Sequence, residues 1–539
     1  MLTIHTFMKH IPLLLALAFA PSLPSAFADI RLPAIIGDHM VLQQKQTNPI
    51  WGWDAPGTRV TVTFSGQTKS AEAGADGAWR VKLDPVNANA TPQAIVIAGS
   101  TKREIQDVLV GEVWMCSGQS NMGFTLNSDW NGDLEAAASD LPNLRLIKVP
   151  QVGTQELQGD FKGEWKASNA ESAKVFSAVG FLYGRTLHNI LHVPVGLIDN
   201  AWGGSAAEAW VRRSSLEKDA RFKPLMEGTV KRETDLQSEK AKADFEKATA
   251  KWNEDVVKMK AAGLKPGQQI PRAPQSPEAW LHGNARPGNI FNGVVNPTLG
   301  YGMKGVIWYQ GESNAGRAWE YAQLFPYMIE QWRAEWKQGD FPFYWVQLAD
   351  FMAEKPEPGD STWAELRESQ TKTMKLANTG QAVIIDLGEG KDIHPKNKHD
   401  VAARLVRWAL VKDYGMKFAY RSPEFKGMEI QGDKAVVTLE MFGSALRPFD
   451  VQEAIGFAVC GEDKVWQWAK GKLLPGNKVE VWSDKVSAPI AVRYAWADNP
   501  VCNLFSNEGL PVTPFRTDDF EMTTKPKPPV APAVPAAKK

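Results

Sequence analysis

Residues 108–116 form an almost unbroken apolar run, and Ser117-Gly118-Gln119-Ser120 follows it directly. A strand without a polar face must be covered on both faces, as the central strands of a parallel sheet are. Similar short runs recur downstream at Val195-Gly196-Leu197-Ile198, Gly305-Val306-Ile307-Trp308, Phe343-Tyr344-Trp345-Val346 and Ala382-Val383-Ile384-Ile385, with helical stretches such as 179–191 and 321–336 between them. Strands alternating with helices predict an α/β layer built on a parallel sheet.

Different patterns flank that layer. Over residues 29–106, Val60, Val62 and Phe64 alternate with polar neighbours, and Asp76-Gly77 marks a turn before the alternating stretch 79–83. This is the period of half-buried antiparallel strands with a hairpin turn. Strand-like text returns over 423–522, punctuated by Gly432-Asp433 and Pro475-Gly476. Within the α/β region, 107–422, a charged insertion spans about 218–279, where Phe245, Trp252, Val256 and Met259 mark one helical face before a loop. Residues 523–539 are dominated by Pro, Ala and Lys and are expected to be a disordered tail, since such a composition buries no core.

Composition narrows the functional classes. Sixty-one Lys plus Arg balance 61 Asp plus Glu, so no net field draws the chain to nucleic acid or an anionic membrane. Lys9 and His10 precede an apolar stretch at 11–20 and then Ala26-Phe27-Ala28. That is the pattern of a signal peptide, residues 1–28, cleaved near Ala28 for periplasmic or secreted delivery, and nothing later is apolar enough to anchor the mature chain in a membrane. Three cysteines make no disulfide framework; Cys116 reads as a small buried hydrophobe, and whether Cys460 and Cys502 pair is left open.

Reactive and small residues concentrate just after the apolar runs, where an open α/β sheet places its ligands. Gly118-Gln119-Ser120-Asn121-Met122 puts a serine in a tight turn at a strand end, but Met122 replaces the second glycine of a nucleophile elbow. Asp199-Asn200-Ala201-Trp202-Gly203-Gly204-Ser205 offers backbone N–H groups unobstructed by side chains. Gln310-Gly311-Glu312-Ser313-Asn314 carries an amide able to donate to an oxyanion. Asp392-Ile393-His394-Pro395 sets a base next to a carboxylate. A metal site at Asp392, His394, His399 and Asp400 is disfavoured, because Pro395 opposes a helix and the histidine spacing matches no common ligand pair.

Taken in order, these four segments resemble the SGNH hydrolases, and more closely their sialate O-acetylesterase-like branch of carbohydrate acetylesterases. The segments Tyr494-Ala495-Trp496, Gly509-Leu510-Pro511 and Pro514-Phe515-Arg516-Thr517 are similar to that branch as well. The resemblance implies an SGNH-type three-layer sandwich with a parallel sheet, flanked by N- and C-terminal β-rich modules and carrying the helical insertion. It implies Ser120 as nucleophile, His394 as base and Asp392 as the orienting carboxylate. The oxyanion hole would be the Ser120 N–H, a glycine N–H (Gly204 in preference to Gly203) and the Asn314 side chain. One residue, not two, separates Asp392 from His394, a spacing that fits the sialate-esterase branch.

Gln310, Glu312, Trp202 and Arg367 are the candidate substrate-binding residues, the competing readings being a brace for Asn314 at Gln310 and Glu312, core packing at Trp202 and a structural salt bridge at Arg367; Trp210 and Trp308 are further aromatic candidates for a sugar platform. The implied reaction needs no metal or organic cofactor. Its substrate is an acetylated glycan, either O-acetylated sialic acid or plant cell-wall oligosaccharide such as xyloglucan or xylan. The rival reading from another class is a non-catalytic carbohydrate-binding protein, against which the intact Ser, Gly, Asn and His set stands.

Overall fold

A strand of 17 residues, β1 (Lys102–Gly118), organises the molecule. Its first part is mostly exposed, with Ile105 alone buried among residues 102–107, and every residue from Val108 onward is buried. The two patterns correspond to two partners. The start of β1 pairs antiparallel with strand Asn89–Ala98 of the N-terminal β region. Its later part pairs in parallel with the strands that carry the site. The change of pattern read at residue 107 therefore falls inside one continuous strand. The computed structural model describes residues 29–264 and 270–527. The expected signal peptide and most of the expected tail lie outside the described residues.

Around β1 stand β2 (Leu141–Lys148), β3 (Val195–Asp199), β4 (Gly305–Tyr309), β5 (Phe343–Val346) and β6 (Thr379–Ala382). Their order is β6-β5-β4-β1-β3-β2, all pairs parallel. Strand Lys166–Ser168 then adds antiparallel to β2, so the sheet as a whole is mixed. β3, β4 and β5 are buried along their whole length, as their apolar text requires. The apolar residues Val383, Ile384 and Ile385 are buried too but lie just past the end of β6.

Helices Ala178–Leu191 and Lys398–Lys412 pack against one another on one face of this sheet, and helices Ala318–Trp336 and Thr362–Thr373 pack together elsewhere in the layer. The insertion contains two long helices, Lys223–Leu236 and Glu239–Ala261, where the sequence suggested one. Of the second helix's apolar stripe only Val256 is fully buried, while the Trp252 indole donates to the Pro271 carbonyl.

The N- and C-terminal β regions are separate sheets. The C-terminal one is seven-stranded and antiparallel throughout. The Asp76-Gly77 turn precedes strand Ala78–Leu83, which pairs with Asn48–Trp53 and not with its neighbour in sequence, so the expected hairpin is not made. Cys460 and Cys502 are both free thiols. Thr523 and Thr524, placed by the sequence in the tail, dock instead on the Glu365 carboxylate through backbone and hydroxyl donors. Among the described residues no helix is long and apolar enough to cross a membrane.

Candidate active site

The end of β1 delivers Ser120 to the site. Gly118 adopts φ +130, and a Cβ there would stand 2.3 Å from the Tyr309 carbonyl oxygen, so the position is closed to other residues by both conformation and space. The Gln119 N–H then donates to that same carbonyl at 2.9 Å, fastening the turn to the end of β4. Ser120 opens a single helical turn, Ser120–Gly123, and is half-buried, where everything from Val108 to Gln119 is buried.

His394 comes from a loop far along the chain, and its Nε2 lies 2.8 Å from the Ser120 Oγ. The imidazole is about a third exposed (37%), and the Phe124 ring lies roughly parallel to it at 6.5 Å. Asp392 Oδ1 accepts the His394 backbone N–H at 2.9 Å and stands 3.6 Å from Nδ1, beyond a hydrogen bond in this state. Burial outweighs the Asp392 charge, and with the neighbouring Lys398 cation it holds the imidazole below its ordinary value. The Asp392 carboxylate pulls the value upward, but the net direction is down.

Gly203 and Gly204 follow β3. The Trp202 N–H donates to the Gly118 carbonyl, which brings Gly203 against the serine: a Cβ on Gly203 would come 3.2 Å from Ser120 Cβ. Gly204, with φ +71, is exposed at the rim. Neither glycine N–H has an acceptor among the described residues. Gly203 therefore lies closer to the Ser120 side chain than Gly204, the glycine towards which the sequence reading leaned for the oxyanion hole.

Asn314 is buried with its amide orientation determined by partners. Its Oδ1 accepts from the Ala207 N–H at 2.9 Å and from Gln310 Nε2 at 2.7 Å. Nδ2 therefore faces the other way and donates one hydrogen to Glu208 at 3.0 Å, while Glu208 is ion-paired to Arg317. Among the described residues the second Nδ2 hydrogen meets no acceptor.

Several expected substrate contacts are corrected by burial. Arg367 is wholly buried, and its guanidinium donates to the carbonyls of Leu348, Ala349, Ala497 and Asp498, which tie the α/β layer to the C-terminal sheet. With its donors so committed, it faces no cleft. Gln310 is also fully buried and serves as the brace of Asn314, with its Oε1 accepting from the Tyr321 hydroxyl. Glu312 turns its carboxylate inward: Oε1 accepts from Asn121 and Oε2 is buried, and burial raises its pKa. Trp210 and Trp308 belong to a buried aromatic cluster with Trp332. Only Trp202, half-buried beside the glycines, keeps a surface open to a sugar ring.

Sequence reasoning missed the residues that hold these parts together, Asn121, Glu208 and Lys398. Asn121 stood inside a quoted motif but drew no role. Lys398 follows His394 in an ordinary basic stretch, and no spacing rule singles out a lysine whose importance comes from being buried.

Comparison with known proteins fits this geometry. Residues 278–406 match the family described as carbohydrate esterase, sialic acid-specific acetylesterase. The sialate O-acetylesterase of Mus musculus is 28% identical over 545 residues, spanning 91% of this chain and 95% of its own length. The Homo sapiens sialate O-acetylesterase is 28% identical over 540 residues, 91% of this chain and 93% of its own. The crystal structure of a carbohydrate acetylesterase from Xanthomonas citri is 36% identical and superposes with a TM-score of 0.76, over 91% of this chain and all (100%) of that one.

Proposed function

The chain belongs to the sialate O-acetylesterase-like carbohydrate esterases of the SGNH type, carboxylic ester hydrolases, and on that premise we propose that it removes O-acetyl groups through an acetyl-enzyme formed on Ser120. The observation that carries this reading is the 2.8 Å contact between Ser120 Oγ and His394 Nε2, made by residues 274 apart in sequence.

In the reaction Ser120 Oγ passes its proton to His394 Nε2 and attacks the acetyl carbonyl carbon. The oxyanion so formed is held by the Ser120 N–H, a glycine N–H from the Gly203-Gly204 pair and the free hydrogen of Asn314 Nδ2. Collapse of this intermediate expels the sugar alkoxide, which takes the proton back from the imidazolium. Water then attacks the acetyl-serine with His394 again as base, and acetate leaves as Ser120 is reprotonated. Asp392, anchored on the His394 backbone, supplies the negative charge that favours the imidazolium of each step. Trp202 offers the apolar surface for the sugar ring. The signal pattern of residues 9–28 supports action outside the cytoplasm.

The substrate is an acetylated glycan. The mammalian relatives are named for sialate esters and the Xanthomonas citri protein for carbohydrate esters in general. Both arms therefore enter one experiment, acetate release from O-acetylated sialic acid and from acetylated xylan and xyloglucan oligosaccharides. Turnover is expected on one of these classes at least tenfold above the other. Failure to release acetate from any of them, or from a chromogenic acetyl ester, would return the chain to the carbohydrate-binding alternative.

A pH profile tests the Asp392 role. With the imidazole held below its ordinary value, the midpoint of the ascending limb of kcat/KM is expected below about pH 6.5. The Asp392 charge pulls against that depression, so Asp392→Asn is expected to move the ascending limb further to low pH and to lower the plateau. An unmoved limb with an undiminished plateau would leave a Ser120–His394 dyad.

A further inference from the structure

Lys398 is an ammonium group sealed inside the site without a carboxylate partner. The residue is completely buried, and among the described residues it forms no ion pair. Its Nζ donates to Asn121 Oδ1 at 2.7 Å and lies over the rings of Phe124 and Tyr309, 4.8 and 5.3 Å from their centroids. The charge is costly to bury, because its direct contacts are a neutral amide and two rings and the carboxylates around it stand beyond ion-pair distance.

What the charge does is decide how Asn121 points. An ammonium only donates, so the Asn121 carbonyl oxygen must face Lys398 and the amide nitrogen must face the other way. That nitrogen donates to Glu312 Oε1 at 2.7 Å and to the Ile393 carbonyl at 3.0 Å. Asn121 directly follows Ser120, Ile393 directly precedes His394, and Glu312 lies two residues before Asn314. One amide thus ties together the three segments that carry the nucleophile, the base and the side-chain oxyanion donor.

We propose that Lys398 is a positioning residue of the esterase centre, whose ammonium orients Asn121 and through it clamps the Ser120 turn to the His394 loop and to the Glu312 turn. This rests on the Ser120–His394 reading above.

The electrostatics agree with that geometry. Burial brings the Lys398 ammonium down to about 7, against the pull of Glu312, Asp129, Glu389 and Asp392 around it. These carboxylates come from the turn after β4, the loop after the Ser120 turn and the His394 loop. Asp129 also accepts the Lys398 backbone N–H at 2.9 Å. On the acid side of that value the lysine is charged, and it is one cause of the low imidazole pKa. Lys398 therefore also helps keep His394 free to accept a proton.

The test is kcat and KM against pH, with a chromogenic acetyl ester and the mature full-length protein, for Lys398→Met, Asn121→Ala and the double variant. Lys398→Met is expected to lower the plateau kcat about tenfold or more with KM within about twofold, and to move the ascending limb to higher pH, because a repelling cation is gone. Asn121→Ala, which keeps the cation, is expected to lower the plateau similarly with the limb unmoved. If both act through one clamp, the double variant loses no more than the worse single variant. A folded Lys398→Met with unchanged plateau and limb overturns the proposal, and so do losses that multiply in the double variant. Should Lys398→Met not fold, an Asn121→Ala plateau within about twofold of wild type overturns it. These outcomes count only where Ser120→Ala is inactive; an active Ser120→Ala would instead defeat the underlying reading.

Discussion

Ser120→Ala is expected to lower acetate release by about a thousandfold or more while leaving the melting temperature unchanged. The hydroxyl is the group that bonds to carbon in the proposed reaction, and among the described residues no other nucleophile stands within hydrogen-bond distance of His394 Nε2. Cys116 is no substitute, since it is buried within β1 and its thiol is held well above its ordinary pKa by burial. Ser120 is half-buried, opens a short turn, and among the described residues its hydroxyl bonds to His394 alone, so removing its oxygen costs the fold little. Steady-state rates with a chromogenic acetyl ester, alongside thermal unfolding, decide the matter. More than a tenth of the wild-type rate in a folded variant would remove Ser120 from the mechanism.

Asn314→Ala is expected to lower kcat about a hundredfold with little change in KM, because an oxyanion donor acts on charge that exists only in the transition state. The structure adds a second consequence. Asn314 is the acceptor for the Ala207 N–H and for Gln310, and a donor to Glu208. Its loss leaves buried polar groups unsatisfied, at about 1–3 kcal/mol each, so the melting temperature is expected to fall as well. The two effects separate in the kinetics. A brace alone would lower Tm and leave kcat of the folded fraction near wild type. A raised KM at constant kcat would make Asn314 a ground-state contact.

The strands of the α/β layer were legible because burial on both faces leaves an apolar run that no other element explains as well; β3, β4 and β5 are such runs. Ser120, the glycine pair and His394 were legible because small and reactive residues just beyond a strand end have few structural reasons to be there. Orientation was not legible. Arg367 and Gln310 carry the same side chains whether they face a sugar or a wall of carbonyls, and only the packed chain shows that both point inward. That Gly203, and not Gly204, lies against Ser120 Cβ was equally hidden, because it is a contact between segments remote in sequence. The Asp76-Gly77 turn misled for a related reason: turn chemistry is local, while the partner of strand Ala78–Leu83 is chosen by the sheet.

The unbroken course of β1 bears on how enzymes of this build are varied and recombined. The strand that ends two residues before Ser120 begins paired to the N-terminal strands, so those first strands are not a detachable accessory. A chimaera joined at residues 106–107, where the text changes character, would cut a hydrogen-bonded ladder in mid-course and expose strand edges on both fragments. A seam ahead of Asn89 would still divide ladders, since strand Val41–Gln43 pairs with Leu109–Gly111 of β1 and strand Arg59–Phe64 with Asn89–Ala98, so residues 41–118 travel best as one piece, with Ser120 still mounted on the backbone that aims it.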